Sequence, residues 1–164
     1  MSTASDNEYT STKPSDAGTY IIRAVISETS DYNGATVTSS FTIGKANISP
    51  TVTMANWTYG TVASNPSVTG NTGGGQITYS YRLDTESNYY GTKPTNAGSY
   101  IVRAQIAATS NYNSGTATAS FTINKAYRSA FVVEMDGWKY GETSHNPSVS
   151  GNLENGIVTY EYKI

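Results

Sequence analysis

The chain has 164 residues, 10 Lys and Arg against 12 Asp and Glu, a net charge of -2, only 13% charged side chains and no cysteine. Without a basic surplus or a Lys/Arg cluster it lacks the field that selects nucleic acid or an anionic membrane surface, and without cysteine it can form no disulfide staple, thiolate metal site or thiol nucleophile. The rest is 37% hydrophobic and carries 14 Tyr and 15 Gly among many Thr and Ser, a composition suited to pleated sheets with polar outer faces.

Met1 to Thr3 have no counterpart elsewhere in the chain, but from Ala4 onward an internal repeat holds register. Thr12 to Ala46 returns as Thr92 to Ala126, with Tyr20 matching Tyr100 and Phe41 matching Phe121 at an offset of 80. In this first copy Thr19–Ser27 and Ala35–Ile43 read as strands. Tyr20, Ile22, Ala24 and Ile26 of the one, and Val37, Phe41 and Ile43 of the other, point inward.

After Lys45 and Ala46 a different half begins. Asn47–Met54 reads as a strand, Asn56–Gly60 as a tight segment, and the stretch around Pro66 to Thr69 as a short strand. The loop Gly70–Gly75 then leads into a strand over Gln76–Leu83, with Ile77, Tyr79, Tyr81 and Leu83 on one face. The turn Lys93–Gly98 follows, where Pro94 and Gly98 set the backbone. Next comes a strand placing Tyr100, Val102, Ala104 and Ile106 on one face. The connection Thr109–Gly115 follows, with Tyr112 tucked beneath it, and then a strand with Ala117, Ala119, Phe121 and Ile123 inward.

From Tyr127 the other half recurs at an offset of 81. Trp57 returns as Trp138, Asn65-Pro66 as Asn146-Pro147 and Ile77-Thr78-Tyr79 as Val158-Thr159-Tyr160. The additional residue is expected as a bulge or looser turn within Tyr127 to Gly137. The order is therefore second half, complete unit, first half. Residues 1–46 are the second half of a repeat, 47–126 a complete repeat and 127–164 a first half. The fold class is all-β, with one complete central sandwich flanked by two complementary half-units.

Either half alone would leave an apolar face uncovered and strand edges bare, which water does not tolerate well. The expectation is complementation between copies. The 127–164 half of one copy pairs with the 1–46 half of another, giving a head-to-tail oligomer or filament or a swapped closed oligomer. Closure within one chain is disfavoured, because tandem sandwiches carry their termini at opposite poles. Tyr9, Tyr20, Phe41, Trp138, Tyr160 and Tyr162 are the expected self-association residues.

Catalytic readings find little to stand on. His145, the one histidine, lies in a turn before Asn146-Pro147 with no nucleophile or orienting acid at a matching spacing. Asp84, Glu86, Asp6 and Glu8 sit in polar turns rather than as a facing pair. Asp6, Asp16, Asp31 and Asp136 lack the dense spacing of a calcium loop, and Asn96 and Asn111 replace Asp16 and Asp31 in the other copy. Lys45 and Lys125 could enter a Lys–Asn crosslink only if buried and neutral, yet each stands at a strand exit that suits a linker. No catalytic residue, cofactor or metal site is assigned. Among the tyrosines Tyr90 is the candidate ligand contact, since alternation turns Tyr79 and Tyr81 to the core.

The segments Trp57-Thr58-Tyr59-Gly60, Asn65-Pro66-Ser67-Val68, Ala97-Gly98-Ser99-Tyr100 and Phe121-Thr122-Ile123-Asn124-Lys125-Ala126 resemble the YG-type MBG and Ig-like repeats of large bacterial surface proteins. The resemblance covers essentially the whole chain. It implies a tandem of Ig-like β-sandwich repeats serving as a non-enzymatic stalk or adhesin spacer, extracellular and at the bacterial cell surface. No signal peptide, anchor motif or membrane-spanning run occurs, so the chain is expected to be either cytosolic or, as the resemblance favours, a segment of a larger exported protein, with no membrane insertion. The alternative is a module that binds a glycan or host protein through Tyr90 and the Gly73–Gly75 loop.

Overall fold

Alternating apolar side chains give each long strand one face to bury, and in the central unit that face is covered. A computed structural model describes residues 9–127 and 130–164 and is all-β, with no α-helix among those residues. Asp6 and Glu8 lie outside the described residues.

Ten strands follow in order. They are β1 (Gly18–Ile26), β2 (Ala35–Ile43), β3 (Thr51–Thr53), β4 (Trp57–Thr58), β5 (Ser67–Thr69), β6 (Ile77–Leu83), β7 (Gly98–Ile106), β8 (Gly115–Asn124), β9 (Val132–Glu134) and β10 (Ser148–Ser150).

The central unit is a sandwich. Its larger sheet has the order β4-β8-β7-β6, and β3 pairs with β5 in a small second sheet that packs against β8 and β7. β7 lies between two antiparallel partners, and its inward residues Tyr100, Val102, Ala104 and Ile106 are all buried. Val52, Met54, Trp57, Tyr81, Phe121 and Ile123 complete the core. Phe121 is its hub, stacked with Trp57 at 5.3 Å and Tyr100 at 5.6 Å and met edge-on by Tyr81 at 6.3 Å. Each such ring contributes roughly 0.5–1.5 kcal/mol of geometry-dependent attraction beyond the area it buries.

Two local expectations are corrected. The strand foreseen over Asn47–Met54 is confined to Thr51–Thr53. Ala46 and the residues after it are engaged elsewhere: Ala46 N donates to Asn111 O at 2.9 Å, and its carbonyl accepts from Asn113 N at 2.8 Å. Pro50 has no N–H to offer a ladder. The tight segment Asn56–Gly60 contains a strand of its own, β4, running parallel to β8 with Trp57 opposite Ile123 and Thr58 opposite Asn124.

The N-terminal half is a two-stranded hairpin, β1 and β2, whose register repeats that of β7 and β8 pair for pair, from Gly18 opposite Ile43 to Ile26 opposite Ala35. In the C-terminal half β9 and β10 pair as β3 and β5 do, and a 3-10 turn occupies Leu153–Asn155. Residues 157–164 enter no ladder.

The offset between copies places the inserted residue. A Cβ built on Gly70 would meet Ser49 O at 2.3 Å, and one on Gly151 would meet Ala130 O at 2.4 Å, so the longer offset already applies at Ala130. Ala126 still follows the shorter one. The insertion falls at 127–129, of which 128 and 129 lie outside the described residues, and Ala130 emerges with φ 69°.

Candidate functional site

The chain contains one closed sandwich, flanked by two segments that repeat parts of it and whose apolar faces are uncovered. In the N-terminal hairpin the details of β7 and β8 are already in place. Tyr20 stacks on Phe41 at 5.5 Å, as Tyr100 does on Phe121, and Tyr20 OH donates to Asp16 O at 2.9 Å, as Tyr100 OH does to Asn96 O. What differs is cover. Ile22 is 59% exposed where its counterpart Val102 is 0%, and Ile26, Val37 and Phe41 are exposed as well.

The C-terminal half is likewise uncovered. Trp138 is 44% exposed against 8% for Trp57, and Tyr162 is 71% exposed against 6% for Tyr81. Val133, Met135, Val158 and Tyr160 are likewise exposed. Among the described residues Trp138 has no stacked ring of the kind Phe121 offers Trp57; its aromatic neighbour is His145, at 6.1 Å and a tilted angle. Among the described residues the two halves do not pair with each other in a ladder.

Of the expected self-association residues, Tyr20 and Phe41 thus lie on one uncovered face and Trp138, Tyr160 and Tyr162 on the other. Tyr9 is placed differently. Its ring lies under the Arg23 guanidinium at 4.0 Å, as Tyr89 lies under Arg103 at 4.0 Å. It therefore borders the open edge of β1 from the polar side.

Tyr90 is exposed, but its backbone pairs with Tyr81 in both directions, Tyr81 N to Tyr90 O at 2.7 Å and Tyr90 N to Tyr81 O at 2.8 Å. The groove beside it holds about 120 Å³, small against the 300–1,000 Å³ of typical ligand sites. His145 and the turn carboxylates Asp84 and Glu86 are exposed, and no group of three or more His, Cys, Asp or Glu among the described residues could hold a metal ion. Lys45 is exposed and donates to Thr109 O at 2.7 Å, whereas a crosslink requires a buried lysine.

One contact escaped sequence reasoning. Lys93 Nζ donates to Ser64 O at 2.8 Å and to Asn65 Oδ1 at 2.6 Å, tying the β4–β5 segment to the turn before β7. The recurrence of Lys13 with Lys93, and of Asn146 with Asn65, was the available signal. Tyr112, expected beneath its own connection, is half-buried, bridges through its backbone to Ala46 across the boundary with the preceding half, and packs on Gly73.

Compared with known families, the chain matches the MBG domain over residues 3–47 and again over 50–127. No curated protein and no solved structure matches it. No helix among the described residues is long and apolar enough to cross a membrane.

Proposed function

The chain belongs to the MBG domain family, and from that premise we propose that it is a structural, non-catalytic repeat array of a bacterial surface protein, acting as an extracellular stalk or spacer. Its half-units are completed head to tail, the C-terminal half of one copy closing on the N-terminal half of the next. The single observation that carries the reading is the pairwise correspondence between faces that are buried in the central unit and faces that are bare in the halves.

The internal offsets turn this into a specific register. In the central unit β6 lies antiparallel to β7 with Ile77 opposite Ile106, Tyr81 opposite Val102 and Leu83 opposite Tyr100. Transposed, Val158 comes opposite Ile26, Tyr162 opposite Ile22 and Ile164 opposite Tyr20. Trp138 runs parallel beside Ile43 and reaches Phe41, which already carries Tyr20 on its other side. Lys13 reaches Asn146 as Lys93 reaches Asn65. On the outer face Glu161 falls opposite Arg23, where the central unit has Ser80 accepting from Arg103 Nε at 3.1 Å. An acid-base pair thus replaces a neutral acceptor at the seam between copies, which favours this pairing over a like-signed one.

Mechanically, a fibre built this way carries load through antiparallel ladders and aromatic cores, with short Lys-Ala links between units. In a longer chain the adjoining repeat halves would occupy the same faces in the same register. Sedimentation velocity of the 164-residue chain over a wide concentration range tests the proposal. Mass should rise with concentration through multiples of the chain, and a monomer whose mass is independent of concentration overturns it.

A further inference from the structure

The boundary between the N-terminal half and the central unit is an occupied joint. Ala46 is bracketed by backbone hydrogen bonds to Asn111 and Asn113, and Lys45 Nζ caps Thr109 O. Asn111 is the pin. Its Oδ1 accepts from Ala17 N at 2.8 Å, and its Nδ2 donates to Asp16 Oδ1 at 2.9 Å. One loop, Thr109–Asn113, therefore locks into the end of the preceding unit.

The far end of the central unit presents the same receptor, and among the described residues no loop of this chain enters it. Asn96, Ala97, Lys125 and Ala126 correspond to Asp16, Ala17, Lys45 and Ala46, and together with Leu153 and Glu154 they line an open cleft of about 450 Å³. The matching key sits at the other end of the chain. Thr29–Asn33 corresponds to Thr109–Asn113 and has the same internal bond, Thr29 N to Tyr32 O at 2.8 Å against Thr109 N to Tyr112 O at 3.0 Å. Tyr32 is 79% exposed, whereas Tyr112 is half-buried.

We propose that this cleft receives the Thr29–Asn33 loop of a second copy, forming an inter-copy joint pinned by Asp31 against Asn96 and Ala97. The inference rests on the head-to-tail reading and adds to it a second contact surface, separate from the strand faces. In the transposed geometry Asn96 Nδ2 and Ala97 N donate to the Asp31 carboxylate, Lys125 Nζ to Thr29 O, Ala126 N to Asp31 O and Asn33 N to Ala126 O.

The substitutions between copies compensate each other. The joint in the structure pairs Asp16 with Asn111, and the proposed one pairs Asn96 with Asp31, so each has one carboxylate and one amide donor. The like pairing, Asp16 against Asp31, would place two carboxylates at hydrogen-bonding distance, where like charges repel. The exchange of Asp and Asn therefore specifies which loop enters which cleft. One position departs from the template. Glu154 stands where Gly73 does, and a Cβ at Gly73 would lie 2.7 Å from the Tyr112 ring. Glu154 adopts φ 59° within its 3-10 turn, so the wall that the Tyr32 ring meets differs from the one Gly73 gives Tyr112.

Because the chain has no cysteine, engineered thiols report the joint cleanly. The Asp31→Cys/Asn96→Cys chain, oxidised under non-denaturing conditions, should give a ladder of disulfide-linked multimers on a non-reducing gel, abolished by reductant. The Asp16→Cys/Asn111→Cys chain should instead close internally, losing two hydrogens in intact mass without forming a ladder. Asn96→Asp should weaken assembly, and adding Asp31→Asn should restore it. Oligomers by sedimentation that form no Asp31→Cys/Asn96→Cys ladder overturn the joint while leaving strand completion standing. Monomers at every concentration overturn both.

Discussion

Replacing Trp138 by Ala removes the largest ring of the C-terminal half without touching the central unit. Its counterpart Trp57 is 8% exposed, whereas Trp138 is 44% exposed. A tryptophan side chain that buries up to ~250 Å² in a finished core therefore has on the order of 90 Å² still to withdraw from water, or about 2 kcal/mol at ~25 cal/mol per Å². Since ~1.4 kcal/mol is a factor of ten, Trp138→Ala should weaken association about thirtyfold, read by sedimentation equilibrium. Trp57→Ala removes a ring already packed on Phe121 and should instead lower the unfolding free energy of the central unit by ~3–5 kcal/mol, read by urea denaturation. The chain has only 2 Trp, so each variant leaves one fluorophore. In Trp138→Ala the remaining Trp57 reports an unchanged urea midpoint, and in Trp57→Ala the remaining Trp138 shifts to the blue on assembly. An association constant unaffected by Trp138→Ala, or a loss of central-unit stability matching that of Trp57→Ala, would refute the assignment of Trp138 to the contact between copies.

Three further outcomes are expected. Glu161→Arg sets a cation opposite Arg23 and should weaken association roughly two- to fivefold, the scale of an exposed ion pair. Arg23→Glu in the same chain should restore it, and a double variant no better than the single one would exclude the pairing. Burial, reinforced by the charge of neighbouring Tyr79, pushes the Tyr81 phenol above its ordinary 10.0. The neutral form is the one the core favours, so the contribution of Tyr81 is fully present below the unfolded-state value and is lost as pH rises through the raised one. Urea midpoints of the central unit should hold steady up to about pH 10 and then fall, with a shallower fall in Tyr81→Phe; parallel alkaline limbs would contradict this. Gly70 has φ +73° and would direct a Cβ to 2.3 Å from Ser49 O, so Gly70→Ala should cost the central unit about 2 kcal/mol or more. A variant as stable as the parent in urea would rule out that close approach.

The long strands were readable because alternation is a local property. Tyr100, Val102, Ala104 and Ile106 occupy every second position of an extended chain, which has only one way to bury them together. The same pattern at Tyr20, Ile22, Ala24 and Ile26 identified a face that needs cover. The recurrence at offsets of 80 and 81 identified which segments are equivalent to which strands of the central unit. Repetition carries this information because similar sequences adopt the same register even where their cover differs, as the matching pairs of β1–β2 and β7–β8 show.

Other features lay beyond a linear reading. β4 is two residues long and exists only because β8 offers an edge far away in the chain, so no local period announces it. The contraction of the Asn47–Met54 strand follows from Ala46 being claimed by Asn111 and Asn113, a contact that spans more than sixty residues. The Lys93 latch and the Asn111 pin are of the same kind, polar side chains whose partners are brought near by folding rather than by spacing. Periodicity and repetition thus settle which residues face inward and which segments are equivalent, because those depend on backbone geometry within a strand. Which edges meet, and which end of one unit grips the next, depends on distant groups arriving at hydrogen-bonding distance, and that is settled only when the sheets are assembled in space.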